Sequence, residues 1–365
     1  MADSDNWTVM LYMAGDNNLS EDMVAGLNHI RDSIPNLTNK NVDLFAYFDP
    51  IATEFPSLLF DFSKGVIEEL NFEVRTSTRS IFKFVEWCVR QRKGDVERNF
   101  ALVLSGHGDG FQRTSFLNDE SSDGYVTIKS VGRMLKDINV NILRKKIDLL
   151  GLDSCVMSSV EFAYEISSVT NVLVASQGLV PFAGWNYGRL LKQIDVQTTP
   201  LSAPVMAKAM MDAFIENYKP FRDYNGLSVE IASSNELETN LKGLAALIYD
   251  LADALTACLQ ASDEAVQKRM EYAILYSHHR CQTHLVDQCI DIGDFCQTLQ
   301  EAAGNISDGN DLIENVGKAC SAIEDQIRRF TSSRSLGPEF QFSSGLSLCS
   351  SPGRIFPTSR LATNT

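Results

Sequence analysis

The sequence is short of positive charge: 32 Lys and Arg stand against 47 Asp and Glu, a formal net charge of −15 over 365 residues. Phosphate binding needs clustered cations, so this balance argues against nucleic acid or anionic lipid as the main partner and leaves basic peptides as attractive ones. Paired cysteines are also missing. The eight, Cys88, Cys155, Cys258, Cys281, Cys289, Cys296, Cys320 and Cys349, contain no CxxC motif, which fits reduced thiols rather than a disulfide framework. No hydrophobic run is long enough to span a bilayer, and Met1–Asn6 is acidic with only a brief apolar run after it. Neither a signal peptide nor a membrane span is therefore expected, and the chain reads as cytoplasmic. Repeats and low-complexity tracts are absent. The rest, 44% hydrophobic and 22% charged, is an ordinary globular composition with length for one large or two modest domains.

Within that composition, short apolar runs alternate with segments of helical period. Trp7–Ala14, Val42–Phe48, Phe100–Leu104, Ile147–Leu152 and Asn171–Ser176 read as buried strands, separated by helical patterns over Glu21–Asp32, Ser80–Arg92 and Ile128–Ile138. Such alternation implies right-handed crossovers and a mostly parallel sheet. Leu58–Phe62 and Val66–Leu70 flank Ser63-Lys64-Gly65 as a hairpin. From Asn235 the character becomes helical, notably over Leu241–Gln260, Glu264–Tyr276, Ile290–Ala303 and Leu312–Phe330. This divides the chain into an α/β domain over 1–234, a helical subdomain over 235–342, and a returning strand and tail over 343–365.

Two strand ends carry chemistry. Phe100–Leu104 runs into Ser105-Gly106-His107-Gly108, and Ile147–Leu152 into Asp153-Ser154-Cys155. Adjacent parallel strands lie about 5 Å apart, close enough for a His and a Cys at matching ends to act as base and nucleophile. The glycines beside His107 leave the approach open, and the amides of Gly108 and Cys155 could hold an oxyanion, a contribution of about 3–4 kcal/mol per donor in comparable sites. The periodicity change after Cys155 predicts a helix starting there, whose N-terminal dipole favours thiolate. Asp153 then has a structural reading as the N-cap of that helix.

These motifs, opened by Val9-Met10-Leu11-Tyr12-Met13-Ala14-Gly15-Asp16-Asn17-Asn18-Leu19 and followed by Gly184-Trp185-Asn186-Tyr187 and Gly345-Leu346-Ser347-Leu348, resemble those of the clostripain-like cysteine peptidases of the caspase-like clan. The resemblance implies a caspase-like three-layer α/β sandwich, a bacterial source and a Cys155–His107 dyad that hydrolyses peptide or protein substrates. It further implies that Asp153, two residues before the nucleophile, lines the pocket for an Arg or Lys preceding the cut bond. Gln177 and Trp185 are expected beside it. Ala183 stands where relatives often carry a further acid. Family members are often zymogens, so an activating protein or protease is an implied partner, although Thr114–Ile128 contains no Lys or Arg at which processing would occur.

Other readings stay open. A non-catalytic caspase-like binding module would have no need of the His–Cys pair, and a thiol-dependent amidase would not need Asp153. No cofactor is expected. Some relatives need calcium, and Asp119, Glu120 and Asp123 form an acidic loop, but solvated charge accounts for it as well. His278, His279, Cys281, His284 and Cys289 match no common zinc-finger spacing, and Cys289, Ile292 and Cys296 read as one helix face.

Overall fold

The computed structural model describes residues 6–349 apart from 39–40, 52–54, 71–74, 93–96, 111–115, 121–123, 198–199, 225, 285 and 307. Its first half alternates strand and helix. The order is β1 (Trp7–Gly15), α1 (Ser20–Ser33), β2 (Val42–Pro50), β3 (Leu58–Asp61), β4 (Val66–Glu69), α2 (Thr78–Gln91) and β5 (Asn99–Ser105). There follow β6 (Phe116–Asp119), β7 (Gly124–Val126), α3 (Ile128–Ile138), β8 (Ile147–Asp153), α4 (Val160–Ile166), β9 (Thr170–Ala175), α5 (Tyr187–Asp195), α6 (Ala203–Tyr218) and β10 (Val229–Asn235). The remainder is α7 (Leu237–Leu259), α8 (Glu264–Arg280), β11 (Thr283–His284), β12 (Val286–Asp291), α9 (Ile292–Ile306), α10 (Asp311–Phe330), β13 (Thr331–Leu336) and β14 (Ser347–Cys349).

Nine strands form one sheet in the order β13-β10-β9-β8-β5-β1-β2-β3-β4. Its centre, β9-β8-β5-β1-β2, is parallel. Antiparallel strands close both edges. All nine residues of β1 are buried, which is why it reads as a continuous apolar run: a parallel strand covered on both faces has no polar side. Trp7, Val9, Leu11 and Met13 face a layer built from α1, α5 and α6. Met10, Tyr12 and Ala14 face the opposite layer of α2, α3 and α4, whose apolar core runs on without a break into α7–α10. The result is the three-layer sandwich with added C-terminal helices.

Local chemistry fixes the helix starts. Ser77 and Ser80 form a reciprocal capping box on α2, and Thr127 and Ser130 do the same on α3, each cap worth about 1 kcal/mol. Among the described residues no helix is long and apolar enough to cross a membrane.

Three expectations need correction. Residues 154–159 form a turn, and α4 begins only at Val160 with Ser159 as its N-cap, so Asp153 caps nothing and Cys155 does not sit at a helix terminus. Val156 has φ +57°, a left-handed conformation that a β-branched residue rarely adopts, and it lets the chain double back before the helix. Cys289 lies in β12, opposite Cys349 of β14, rather than on a helix with Ile292 and Cys296. Finally, β11 and β12 lie inside a region read as helical and pair with β14, the strand expected near the end of the chain, in a small antiparallel sheet.

Candidate active site

The site lies at the carboxyl ends of four neighbouring parallel strands. The turn after β1 supplies Asn18, the segment after β5 supplies His107, the turn after β8 supplies Cys155, and the loop after β9 supplies Val180–Gly184. The register of β5 and β8 pairs Ser105 with Asp153. Beyond it, Gly106 N donates to Asp153 O at 3.2 Å and Ser154 Oγ to Gly106 O at 2.6 Å. These bonds carry the pairing past the sheet edge and bring His107 and Cys155 to one cleft.

His107 Nε2 lies 2.6 Å from Asn18 Oδ1. An amide oxygen only accepts, so this contact puts the ring proton on Nε2 and leaves Nδ1 free to take a proton. Asn18 is itself held by its neighbour: the Asn17 side chain donates to Ala14 O and Asn118 O, both at 2.9 Å, and accepts from Leu19 N. The thiol meets the backbone of Val180 rather than His107. Val180 N donates to Cys155 Sγ at 3.3 Å, and Sγ donates to Val180 O at 3.6 Å. Burial pushes the Cys155 thiol above its ordinary range, the Val180 amide pulls it back in part, and the charges of Asp153 and Asp109 add to the rise. The thiolate-favouring helix end expected from the sequence is therefore replaced by a desolvated, thiol-favouring setting.

The turn after Cys155 is firmly tied. Val156 N donates to Gly178 O, and Met157 N and Ser158 N both donate to Ser176 O, each at 2.9 Å. A Cβ on Gly108 would lie 2.6 Å from Cys155 O, so glycine is required for the two backbones to come this close. Neither the Gly108 amide nor the Cys155 amide donates to another described group, which leaves both available to an oxyanion.

Asp153 is buried beneath this cleft. Its Oδ2 accepts from Tyr187 OH at 2.7 Å, Trp185 N at 3.2 Å and Ser105 Oγ at 3.2 Å, while Oδ1 has no hydrogen-bond partner. Burial raises the carboxyl above its usual range and these three donors counter the rise. Gly184, at φ +57°, passes so near that a Cβ there would lie 2.8 Å from Asp153 Oδ2. Met13, Leu19 and Met23, with Trp185, give the pocket above Asp153 apolar walls. Trp185 is buried and its ring packs over Gly151.

Gln177 does not reach the cleft, contrary to expectation. It is fully buried, with Nε2 donating to Asp291 Oδ2 at 2.9 Å and Oε1 accepting from Gly345 N at 3.0 Å. Asp119 is buried rather than solvated and accepts from Thr76 N; Asp123 lies outside the described residues. Among the described residues no group of three or more His, Cys, Asp or Glu side chains converges as metal ligands would. Asn18 and Tyr187 stand within the motifs quoted from the sequence without a role of their own, and Asp22 carries no sequence signal.

Comparison with known proteins agrees with this architecture. The model of the clostripain family, Peptidase C11, matches residues 11–320. No curated protein is significantly similar in sequence. Among solved structures, the fold is similar to that of a secreted C11 cysteine protease from Bacteroides thetaiotaomicron bound to an irreversible peptide inhibitor, at 15% identity and a TM-score of 0.64, over 94% of this chain and 92% of that one. It is likewise similar to an inactive zymogen C11 protease from Parabacteroides distasonis, at 16% identity and a TM-score of 0.63, over 95% and 92%. With the family model spanning most of its length, the chain belongs to the clostripain family of cysteine peptidases.

Proposed function

We propose that this cysteine peptidase is an endopeptidase that cuts after Arg or Lys, with Cys155 as nucleophile, His107 as base and then acid, and Asp153 at the floor of the pocket for the basic side chain. In the first step His107 takes the thiol proton as Sγ attacks the carbonyl carbon, and the oxyanion forms toward the Gly108 and Cys155 amides. His107 then returns the proton to the leaving amine, and water releases the acyl group from Sγ by the same exchange.

The observation that carries the specificity is the Oδ1 of Asp153, buried without a partner at a pocket whose walls include Met13, Leu19, Met23 and Trp185. Leaving a buried carboxylate oxygen unpaired costs about 1–3 kcal/mol or more. A guanidinium or ammonium there would recover that loss, while its aliphatic stem would cover Met13 and Met23. The Val180 contact with the thiol supports a resting form in which the loop after β9 must shift before His107 and Cys155 engage.

The test is turnover of fluorogenic peptides ending in Arg, Lys, Asp or Ala by the protein and by Cys155→Ala, each with and without calcium. Cleavage after Arg or Lys that vanishes in the variant is expected. Equal turnover of all four peptides would point to a thiol-dependent amidase, and activity surviving Cys155→Ala would remove the nucleophile assignment.

A further inference from the structure

The pocket above Asp153 has a second carboxylate that comes from another part of the chain. Asp22, in the first turn of α1, lines the pocket together with Leu19, Met23 and Gly26 of the same segment. It is half-buried and forms no hydrogen bond or ion pair with any described residue, whereas neighbouring acids such as Asp32 do. Asp153 alone can offer a cation only Oδ1, because Oδ2 already accepts three hydrogen bonds. The Tyr218 hydroxyl is raised first by burial and then by the charges of Asp153 and Asp22, so both acids act on the same side of the cleft.

We infer that Asp22 is a specificity-determining residue that makes the pocket prefer Arg to Lys before the cut bond. This rests on the proposed basic specificity and refines it. A guanidinium carries five N–H donors in a planar fork, and one free carboxylate oxygen satisfies only part of it. A second, unpartnered carboxylate in the lining of the same pocket offers the fork further acceptors. A lysine ammonium is a compact point charge that gains less from such a split arrangement. Ala183, Phe182 and Val180, on the loop that forms another wall, bring no charge, so the choice between the two cations falls to Asp22.

The experiment compares kcat/KM for three peptides identical but for a terminal Arg, Lys or citrulline, using the protein, Asp22→Asn, Asp22→Glu and Asp153→Asn. Citrulline keeps the shape of Arg without its charge. Asp22→Asn should lower the Arg to citrulline ratio on the order of tenfold, as expected for losing one half-exposed charge-assisted contact. It should also narrow the Arg to Lys ratio, and Asp22→Glu should restore part of both. Unchanged ratios in Asp22→Asn, with a thermal midpoint like that of the parent, would overturn the inference while leaving basic specificity intact. If the parent fails to prefer Arg and Lys over citrulline, the basic specificity itself falls and the inference with it. A parent that neither turns over any peptide nor has Cys155 labelled by an Arg-based electrophile refutes both.

Discussion

Glu230 offers the sharpest test of how the site is held. It is fully buried in β10, where Oε2 accepts from Gln177 N at 2.7 Å and Oε1 from Ser333 Oγ at 3.1 Å. Burial pushes its carboxyl from an ordinary 4.5 up to about 8, partly offset by these hydrogen bonds and reinforced by the charge of Asp291. At neutral pH the folded chain therefore keeps a proton that the unfolded chain has released. Where the folded state binds more protons, stability falls as pH rises. The loss begins near pH 4.5 and is complete above about pH 8. A shift of that size corresponds to on the order of 5 kcal/mol at the alkaline limit. Glu230→Gln removes the titration, keeps the shape and can still accept from Gln177 N. Urea midpoints measured from pH 5 to pH 9 should show the two proteins close together at pH 5 and the variant increasingly the more stable as pH rises. Parallel curves would mean that Glu230 ionises normally and that its hydrogen bonds outweigh its burial.

Three further outcomes are expected. Gly184→Ala would force a Cβ to 2.8 Å from Asp153 Oδ2 at a left-handed φ; displacing the acid should cut kcat/KM for Arg peptides about a hundredfold, and equal kinetics would detach Asp153 from substrate binding. Asn18→Ala removes the Nε2 partner of His107 and should lower kcat roughly tenfold with little change in KM; a change confined to KM would contradict a positioning role. Alkylation of resting Cys155 by iodoacetamide should have its pH midpoint above that of an exposed thiol, about 8.5, because burial dominates its surroundings. A midpoint below neutrality would indicate an ion pair with His107 instead.

The parallel core was legible because strands covered on both faces have no choice but to be apolar along their length, as in β1, β5 and β8. That same pattern put His107 and Cys155 at strand ends. What escaped was set by distant neighbours. Val156 carries no glycine signal for its left-handed turn, so the N-cap was read at Asp153, six residues before Ser159. Thr331–Ser335 is polar throughout, yet with Leu336 it becomes an edge strand because β10 offers it a ladder and edge positions tolerate exposure. Gln177 looked like a rim residue, but Asp291 and Gly345, more than a hundred positions away, take up its amide. Asp22 gains meaning only once α1 packs beside the loop after β9.

The turn that bears Cys155 is fastened by residues made much later. Ser158 Oγ donates to Gly345 O at 2.7 Å, and Ser347 N and Oγ both donate to Ser158 O across some 189 positions of chain. Synthesis runs at about 5–20 residues per second, so a ribosome-bound chain has its cysteine and histidine in place for roughly ten seconds or more before these fasteners emerge. During that interval the turn lacks its final anchors. Contacts this distant in sequence close only at a high loop-entropy cost, so the turn that bears Cys155 is held by the strand at Ser347–Cys349 as well as by its own neighbours.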